Sequence, residues 1–170
     1  YEAICKTAKK YPNVHVVNTK HIAGSQGLLV NYAAELIADG FAISAIKEAL
    51  QKKIPKTKLF VMIKHMDALM RSGRVGKLMG KISQFLGVKP MVTLNEQGKV
   101  ISFDKSFSEN KALSKLIETV KSTAKTQGGL ENYGIVHAGT PEKAKEFAQW
   151  TTNAFGFEPA FIEPVTIGIG

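Results

Sequence analysis

The clearest chemical signal in the sequence is a Ser-Gly-Arg turn, Ser72 to Arg74, between two stretches of helical spacing. Arg74 stands where the second helix should begin, and the free N–H groups and positive dipole of a helix N-terminus attract anions. A guanidinium there adds a permanent charge that can hold a carboxylate or phosphate through two hydrogen bonds. An arginine that merely pairs with a neighbouring carboxylate explains the same residue, and the residues alone favour that simpler interpretation.

The glycines around Arg74 do not form a phosphate-binding loop. A P-loop needs four residues between its first glycine and Gly-Lys-Ser/Thr. Here Gly73 and Gly76 are separated by two residues, and the two Gly-Lys pairs are followed by Leu78 and Ile82. Gly76 and Gly80 instead lie four apart on one helix face, which predicts room for a close neighbour or for a ligand.

The other residues that commonly carry out chemistry lack catalytic or metal-binding spacing. No HExxH pattern, Cys/His cluster or GxSxG elbow is present, and the acidic residues fall mostly on predicted helix surfaces. His137 ends a predicted strand, where a catalytic residue can sit, but a histidine bonded to the backbone is the simpler interpretation. We expect no catalytic residue, no metal site and no cofactor, and a protein that is not an enzyme.

The composition is that of an ordinary soluble protein. Of 170 residues, 44% are hydrophobic and 22% are charged, which argues against disorder. No apolar run approaches the ~20 residues that a membrane span needs, so we expect no integral membrane protein. The first residues read as a helix and not as a signal peptide, and Cys5 is the only cysteine. A cytoplasmic location is therefore the expectation.

The net charge of +9 belongs to one part of the chain. Residues 45–90 contain eleven lysines and arginines against only Glu48 and Asp67, so this basic stretch accounts for the whole excess. Such a stretch attracts nucleic acid, anionic lipid or an acidic partner protein. A solvated lysine face explains it equally well.

Apolar spacing alternates between the periods of helices and strands. Helices are predicted at 1–10, 25–40, 44–53, 66–71, 75–86, 109–125 and 140–156, and strands at 13–19, 59–63, 89–95, 99–106, 133–139 and within 158–170. Residue types predict N-caps at Ser25, Ser44 and Thr140, Pro141 at the first helical position, and helix ends at Gly40 and Gly156.

A proline among charges in "KKIPKTK" predicts a domain boundary near residue 55. The stretch beyond it is α/β or α+β, whereas the first 55 residues are too few and too helical to form a complete domain.

Four stretches together resemble the DegV family of bacterial fatty-acid-binding proteins: residues 13–37, 59–94, 133–147 and 163–170. The match between "MRSGRV" and the family's Leu-x-x-Gly-Gly-Arg-Ile turn, followed by "LGVKPMVTL", is its most specific part. The resemblance implies a DegV-like second domain, 56–170, with a mixed sheet packed by helices. It also implies that residues 1–55 are the last strand and helices of a Rossmann-like first domain, so that the sequence is a fragment.

The resemblance implies a carrier function. Family members hold a long-chain fatty acid between two domains and present it to a separate kinase, related to dihydroxyacetone kinases, which forms an acyl phosphate for phospholipid synthesis. The carrier is not the catalyst, and the fatty acid is a ligand rather than a cofactor. The residues expected at the carboxylate are Arg74, Ser72 and Gly73, and those expected to dock the kinase are Lys77 and Lys81.

The acyl chain is expected to lie against apolar side chains, with methionines suited to a flexible ligand. A plain hydrophobic core explains the same side chains equally well. The residues expected to line the chain are Phe60, Met62, Met66, Met70, Met79, Ile82, Phe85 and Met91.

The sequence departs from the family pattern at several positions. Ser72 replaces the first glycine of Gly-Gly-Arg, and Lys64 and His65 stand where many members have Asp-Thr. The family's Arg-x-Arg falls on Phe107 and Glu109. The family's carboxylate-binding threonine and serine are expected before Tyr1, and its Gly-rich segment with a histidine after Gly170. Arg74 is thus the one charged candidate for the carboxylate that the resemblance retains.

Two other functions are compatible with parts of the sequence. The basic stretch could bind nucleic acid, although Phe60 and Phe85 are its only aromatic residues. A phosphate-handling enzyme is disfavoured because no base, nucleophile or metal motif accompanies the glycines. The fatty-acid carrier is therefore the leading hypothesis, and nucleic-acid binding or partner docking through residues 45–90 is the alternative.

Overall fold

The computed structural model describes residues 1–65 and 87–166. Its helices are α1 (Glu2–Ala8), α2 (Ala23–Ala38), α3 (Ile43–Lys53), α4 (Glu109–Thr126) and α5 (Pro141–Phe155), with a 3₁₀ turn at Ile54–Lys56. Its strands are β1 (Phe60–Met62), β2 (Lys89–Leu94), β3 (Val100–Ser106), β4 (Ile135–His137) and β5 (Ile162–Pro164). The predicted helices at 66–71 and 75–86 lie outside the described residues.

Helices α2 and α3 share one small core. Leu29 of α2 is only 2% exposed and packs with Ile46 and Leu50 of α3. The partly buried residues around this cluster are Val17, Tyr32, Ala33, Leu36 and Ile54. The 3₁₀ turn that follows contains Pro55, at the predicted break in the chain. The division into domains at this point stays a prediction.

The predicted end of α2 at Gly40 is confirmed. Gly40 has a φ of +78°, its N–H donates to the carbonyl of Ile37 at 3.0 Å, and the N–H of Phe41 donates to the carbonyl of Leu36 at 3.0 Å. These two bonds satisfy carbonyls at the helix end that would otherwise lack a partner. Glycine adopts the left-handed conformation that this arrangement requires at little cost.

The predicted N-caps Ser25 and Ser44 are wrong. α2 begins at Ala23 with Ile22 as its cap, and the buried hydroxyl of Ser25 donates back to the carbonyl of Ile22 at 2.8 Å. α3 begins at Ile43 with Ala42 as its cap. Extended backbone directly before each helix sets these starts, and serine in a first turn satisfies its hydroxyl locally instead of capping.

The predicted strand at 13–19 is also wrong. The segment contains no ladder hydrogen bonds, and within the described chain no strand pairs with it. β-branched residues favour extended backbone, but a strand exists only where a neighbour accepts and donates its hydrogen bonds. Val17 packs against the α2–α3 cluster, whereas Val14 is 47% exposed.

The predicted hairpin is confirmed. β2 pairs antiparallel with β3, and β1 pairs antiparallel with β2 on its other side. The turn is closed by the N–H of Gly98 donating to the carbonyl of Asn95 at 2.9 Å. Gly98 has a φ of +74°, and an added β-carbon would lie 2.9 Å from the carbonyl oxygen of Lys20. The hairpin turn therefore contacts the loop that leads into α2.

The last third of the chain forms a strand–helix–strand unit. β4 and β5 pair in parallel, and α5 connects them. Pro141 occupies the start of α5 and Gly156, with a φ of +85°, ends it, as predicted. Thr140 is the N-cap residue, but its hydroxyl makes no capping bond. Tyr133, Ile135, Ala144 and Ala148 form the core of this unit.

The mixed α/β fold class is confirmed. In the described residues the strands form two small sheets, one antiparallel of order β1-β2-β3 and one parallel of order β4-β5. α4 packs against the antiparallel sheet, where Met91, Ala112 and Leu116 form the buried cluster.

Candidate functional site

The residues expected to hold the ligand's carboxylate lie outside the described residues. These are Ser72, Gly73 and Arg74, together with the docking residues Lys77 and Lys81. The same holds for five residues expected to line the acyl chain: Met66, Met70, Met79, Ile82 and Phe85. Phe60, Met62 and Met91 are the three members of the expected lining that the structure describes.

Met62 and Met91 lie opposite each other in the β1–β2 ladder. Met91 is 0% exposed and packs with Ala112 and Leu116 of α4, and Met62 packs against the same cluster. The structure thus brings both methionines together, on the sheet face that α4 covers. That they line an acyl chain stays a prediction, and a plain hydrophobic core explains the same contacts.

Phe60 contacts an aromatic residue that the sequence interpretation did not include. The rings of Phe60 and Phe103 meet edge to face, with centroids 5.7 Å apart. The β2–β3 register shifts between Met91 and Val92, so Asp104 pairs with Met91, Ser102 pairs with Val92, and Phe103 between them is extra. Such a bulge turns a side chain away from strict alternation. Alternation alone could not assign Phe103 to this face.

The described chain leaves β1 and returns to β2 at the same point of the sheet. The N–H of Ile63 donates to the carbonyl of Pro90 at 2.9 Å, and Nζ of Lys89 donates to the carbonyl of Lys64 at 3.3 Å. The two ends of the stretch that contains Arg74 are therefore held as neighbours by described residues.

Two of the departures from the family pattern contact each other. Nζ of Lys64 lies 3.1 Å from Oε2 of Glu109, whose side chain is 22% exposed. Glu109 begins α4, directly after the N-cap Ser108, whose hydroxyl accepts from the N–H of Lys111. A carboxylate in the first turn is also favoured by the helix dipole. Phe107, by contrast, is 69% exposed.

Several lysines of the basic stretch are paired with carboxylates. Lys52 contacts Glu48 at 2.7 Å, and this hydrogen bond holds the pKa of Glu48 below its ordinary value. Lys53 bonds Glu131 and lies 5.1 Å from the centre of the Tyr32 ring. The hydrogen bond from Lys53 likewise lowers the pKa of Glu131. Glu48 is already counted in the net charge of the stretch, whereas Glu131 lies outside it, so the Lys53–Glu131 pair reduces the excess positive charge that the stretch presents to a partner.

Two of the four histidines, His21 and His137, form hydrogen bonds with the backbone. Nδ1 of His137 accepts from the N–H of Thr140 at 3.3 Å, as expected for a structural histidine. Nε2 of His21 lies 3.3 Å from the carbonyl of Ile54, and its buried Nδ1 has no hydrogen-bond partner among the described residues.

The part of the chain that the structure describes contains no group of three or more His, Cys, Asp or Glu side chains arranged to hold a metal ion. None of its helices is both long and apolar enough to span a membrane.

Comparisons with known proteins agree with this architecture. The sequence profile of the DegV family, described as uncharacterised proteins, matches residues 1–170. A DegV domain-containing protein of Streptococcus pneumoniae is 30% identical over 123 residues, which cover 72% of this chain and 43% of that protein. The matched residues thus make up less than half the length of that relative.

Solved structures show the same fold. A fatty-acid-binding DegV family protein of Streptococcus agalactiae is 26% identical, with a TM-score of 0.77 over 97% of this chain and 58% of its own. The fatty acid kinase B3 protein of Streptococcus pneumoniae, loaded with linoleic acid, is 21% identical, with a TM-score of 0.78 over 98% of this chain and 59% of its own. The profile match over the full sequence assigns the family: the chain belongs to the DegV family.

Proposed function

We propose that the protein is a carrier that binds a long-chain fatty acid and presents it to a fatty-acid kinase. The observation that carries the proposal is the likeness, over 97% of the chain, to a DegV protein of Streptococcus agalactiae that is described as fatty-acid-binding. The described part of the expected lining supports it, because Met62 and Met91 lie together on an apolar sheet face beneath α4.

In the proposed carrier, residues 1–55 belong to a first domain and residues 56–170 to a second, and the acyl chain lies between the two. Arg74, Ser72 and Gly73 neutralise and bind the carboxylate, and Lys77 and Lys81 dock the kinase. The kinase part of the proposal is supported at the level of the fold by the Streptococcus pneumoniae neighbour named as a fatty acid kinase B3 protein. Phosphoryl transfer takes place on the kinase, and the carrier works in the cytoplasm without a cofactor of its own.

The first experiment is mass spectrometry of the complete protein under native and then denaturing conditions, with organic extraction of the released material. A carrier releases a mass equal to that of a long-chain fatty acid. A folded protein that is empty as purified, and that takes up no oleate when the fatty acid is added, would contradict the proposal. Salt-dependent RNA binding at submicromolar concentration would then favour the alternative.

The role of Arg74 is tested separately with the variant Arg74→Ala in the complete protein. Loss of the guanidinium should weaken fatty-acid retention and lower acyl-phosphate formation with the kinase, since a charge-assisted contact to the carboxylate is removed. Arg71→Ala is the matched control, because it removes the same charge three residues earlier. If Arg74→Ala retains both activities, its proposed role is wrong while the carrier function stands.

A further inference from the structure

The ring of Phe161 lies against three glycines from two separate parts of the chain. A β-carbon added at Gly27 of α2 would lie 3.4 Å from Cζ of Phe161, and one at Gly24 would lie 3.8 Å from Cε2. A β-carbon at Gly134, directly before β4, would lie 2.9 Å from Cε1 and still closer to Cε2 and Cζ. The ring therefore occupies the space in which a side chain at position 134 would lie.

The backbone beneath the ring is held in place. The N–H of Ile135 donates to the carbonyl of Phe161 at 2.9 Å, and the N–H of Ala160 donates to the carbonyl of Tyr133 at 2.8 Å. These bonds fix the backbone on both sides of Gly134 and the backbone that carries the Phe161 ring. The ring is thus presented to α2 from a backbone that is paired with β4.

A second contact fixes α2 at the same place. A β-carbon at Gly24 would lie 3.1 Å from Cγ1 of Val136 in β4, so the helix backbone approaches the β4–β5 pair as closely as packing allows. A β-carbon at Gly24 would require the Val136 side chain to move by a few tenths of an ångström, and a larger side chain there would push the helix outward. α2 is therefore held over the parallel pair by the contact of Gly24 with Val136 and by the contacts of Gly24 and Gly27 with the ring of Phe161.

We propose that Phe161 is a positioning residue for fatty-acid binding, because its ring sets the separation between α2 and the β4–β5 pair. This inference rests on the proposed function, in which α2 belongs to one domain, β4 and β5 belong to the other, and the acyl chain lies between them. A shift of α2 away from the sheet changes the width of that space, and the ligand then dissociates faster.

The first test measures the position of α2 directly. Spin labels are attached at Asn31 on α2 and Lys145 on α5, both exposed, in the complete protein with Cys5→Ser. Phe161→Ala should broaden the distance distribution between the labels. Phe155→Ala is the matched control, because it removes a ring of the same strand–helix–strand unit, one that packs on Tyr133 at 5.0 Å between ring centres, and it should leave the distribution unchanged.

The second test is a pair of size-compensating changes. Gly134→Ala should displace the ring and lower the unfolding temperature, whereas Gly134→Ala combined with Phe161→Ala should be no less stable than Phe161→Ala alone. If the losses of unfolding temperature in the two single variants simply add in the double variant, the ring of Phe161 does not contact position 134 in solution. If Phe161→Ala does not fold, Phe161→Leu is used in its place. Gly134→Ala should then lower the unfolding temperature less in combination with Phe161→Leu than it does alone.

The third test measures the release of bound oleate from the complete protein by transfer to albumin. Phe161→Ala should release oleate at least about tenfold faster than the unchanged protein, whereas Phe155→Ala should change the rate less than about twofold at a similar loss of unfolding temperature. Equal acceleration by both variants, or no acceleration by either, would overturn the positioning role. If the unchanged protein binds no oleate, the proposed function fails, and the label distances still decide whether Phe161 positions α2.

Discussion

The side-chain nitrogen of Lys64 lies 3.1 Å from a carboxylate oxygen of Glu109, so the end of β1 is tied by an ion pair to the first turn of α4. The hydrogen bond to Glu146 raises the pKa of Lys143 at the start of α5, and the charge of Glu109 adds a smaller effect in the same direction. The ion pair of Glu109 itself joins two elements, β1 and α4. Reversing the charge at Lys64 therefore measures what the ion pair contributes to the free energy of unfolding.

Lys64→Glu replaces the ion pair with two carboxylates. We expect the free energy of unfolding to fall by about 1 kcal/mol, since partly exposed pairs contribute up to about that amount and like charges are destabilising. Urea denaturation at low ionic strength measures the change. The double variant Lys64→Glu with Glu109→Lys should recover part of the loss.

Lys52→Glu is the control for this prediction. Its partner Glu48 is 66% exposed and Lys52 itself 75%, so solvent already screens the pair. The control should therefore change the free energy of unfolding less than Lys64→Glu does. No recovery in the double variant would show that Lys64 and Glu109 do not interact in solution.

Met91→Ala should cost about 3 kcal/mol of unfolding free energy, because Met91 is 0% exposed and the change leaves a cavity between β2 and α4. Met91→Leu nearly conserves the volume and should cost less than about 1.5 kcal/mol. Val100→Ala, at a strand position that is 52% exposed, should change the unfolding free energy by no more than about 0.5 kcal/mol.

Thermal unfolding of Met91→Ala with and without oleate adds a second measurement. A smaller ligand-induced stabilisation in Met91→Ala than in the unchanged protein would support the acyl-lining role.

Stability should fall as the pH drops below about 6.5. Burial lowers the pKa of His21 from its ordinary value of 6.5, the charge of Lys58 acts in the same direction, and the contact with the Ile54 carbonyl opposes both. Between the folded and unfolded pKa values the unfolded chain binds a proton that the folded chain does not, so the free energy of unfolding rises with pH. His21 therefore contributes stability above pH 6.5 that is lost in acid.

His21→Asn tests this pH dependence. Urea denaturation from pH 5 to pH 8 should show a flatter profile for His21→Asn than for the unchanged protein. His15→Asn, at an exposed position, is the matched control and should keep the original profile. Identical profiles for His21→Asn and the unchanged protein would rule out His21 as the source.

Ala42→Asp should stabilise the protein by about 1 kcal/mol. Ala42 caps α3 with extended backbone, a φ of −65° and a ψ of 148°, but it offers no side-chain acceptor to the free N–H groups of the first turn. An aspartate supplies that acceptor and complements the helix dipole. Ala38→Asp, in the last turn of α2, is the control and should be destabilising, since the dipole there has the opposite sign. Thermal unfolding of both variants measures the difference.

The hairpin and the last helix were predictable because local residue chemistry decides them. The turn at Asn95–Gly98 and the helix from Pro141 to Gly156 carry their own start and stop residues. The caps of α2 and α3 were not predictable, because Ile22 and Ala42 are caps by position and not by chemistry. Tertiary packing sets the start of such a helix, and the residue types around the start do not indicate it.

Long-range relationships were missed for a different reason. The segment 13–19 has the composition of a strand, but pairing depends on a neighbour elsewhere in the chain. Phe103 joins Phe60 only through the bulge opposite Met91 and Val92, which strict alternation cannot anticipate. For the candidate site, sequence placed Met62 and Met91 correctly on apolar strands. Their direct opposition required the register of the ladder.

The strand–helix–strand arrangement at the end of the described chain also has a consequence for folding. Tyr133, Ile135, Ala144 and Ala148 belong to one contiguous stretch, so the core of this unit closes over short sequence distances. Contacts of low sequence separation form early and tend to open as one cooperative unit. The backbone amides of β4 and α5 should therefore exchange with solvent together, as a single foldon, and not strand by strand.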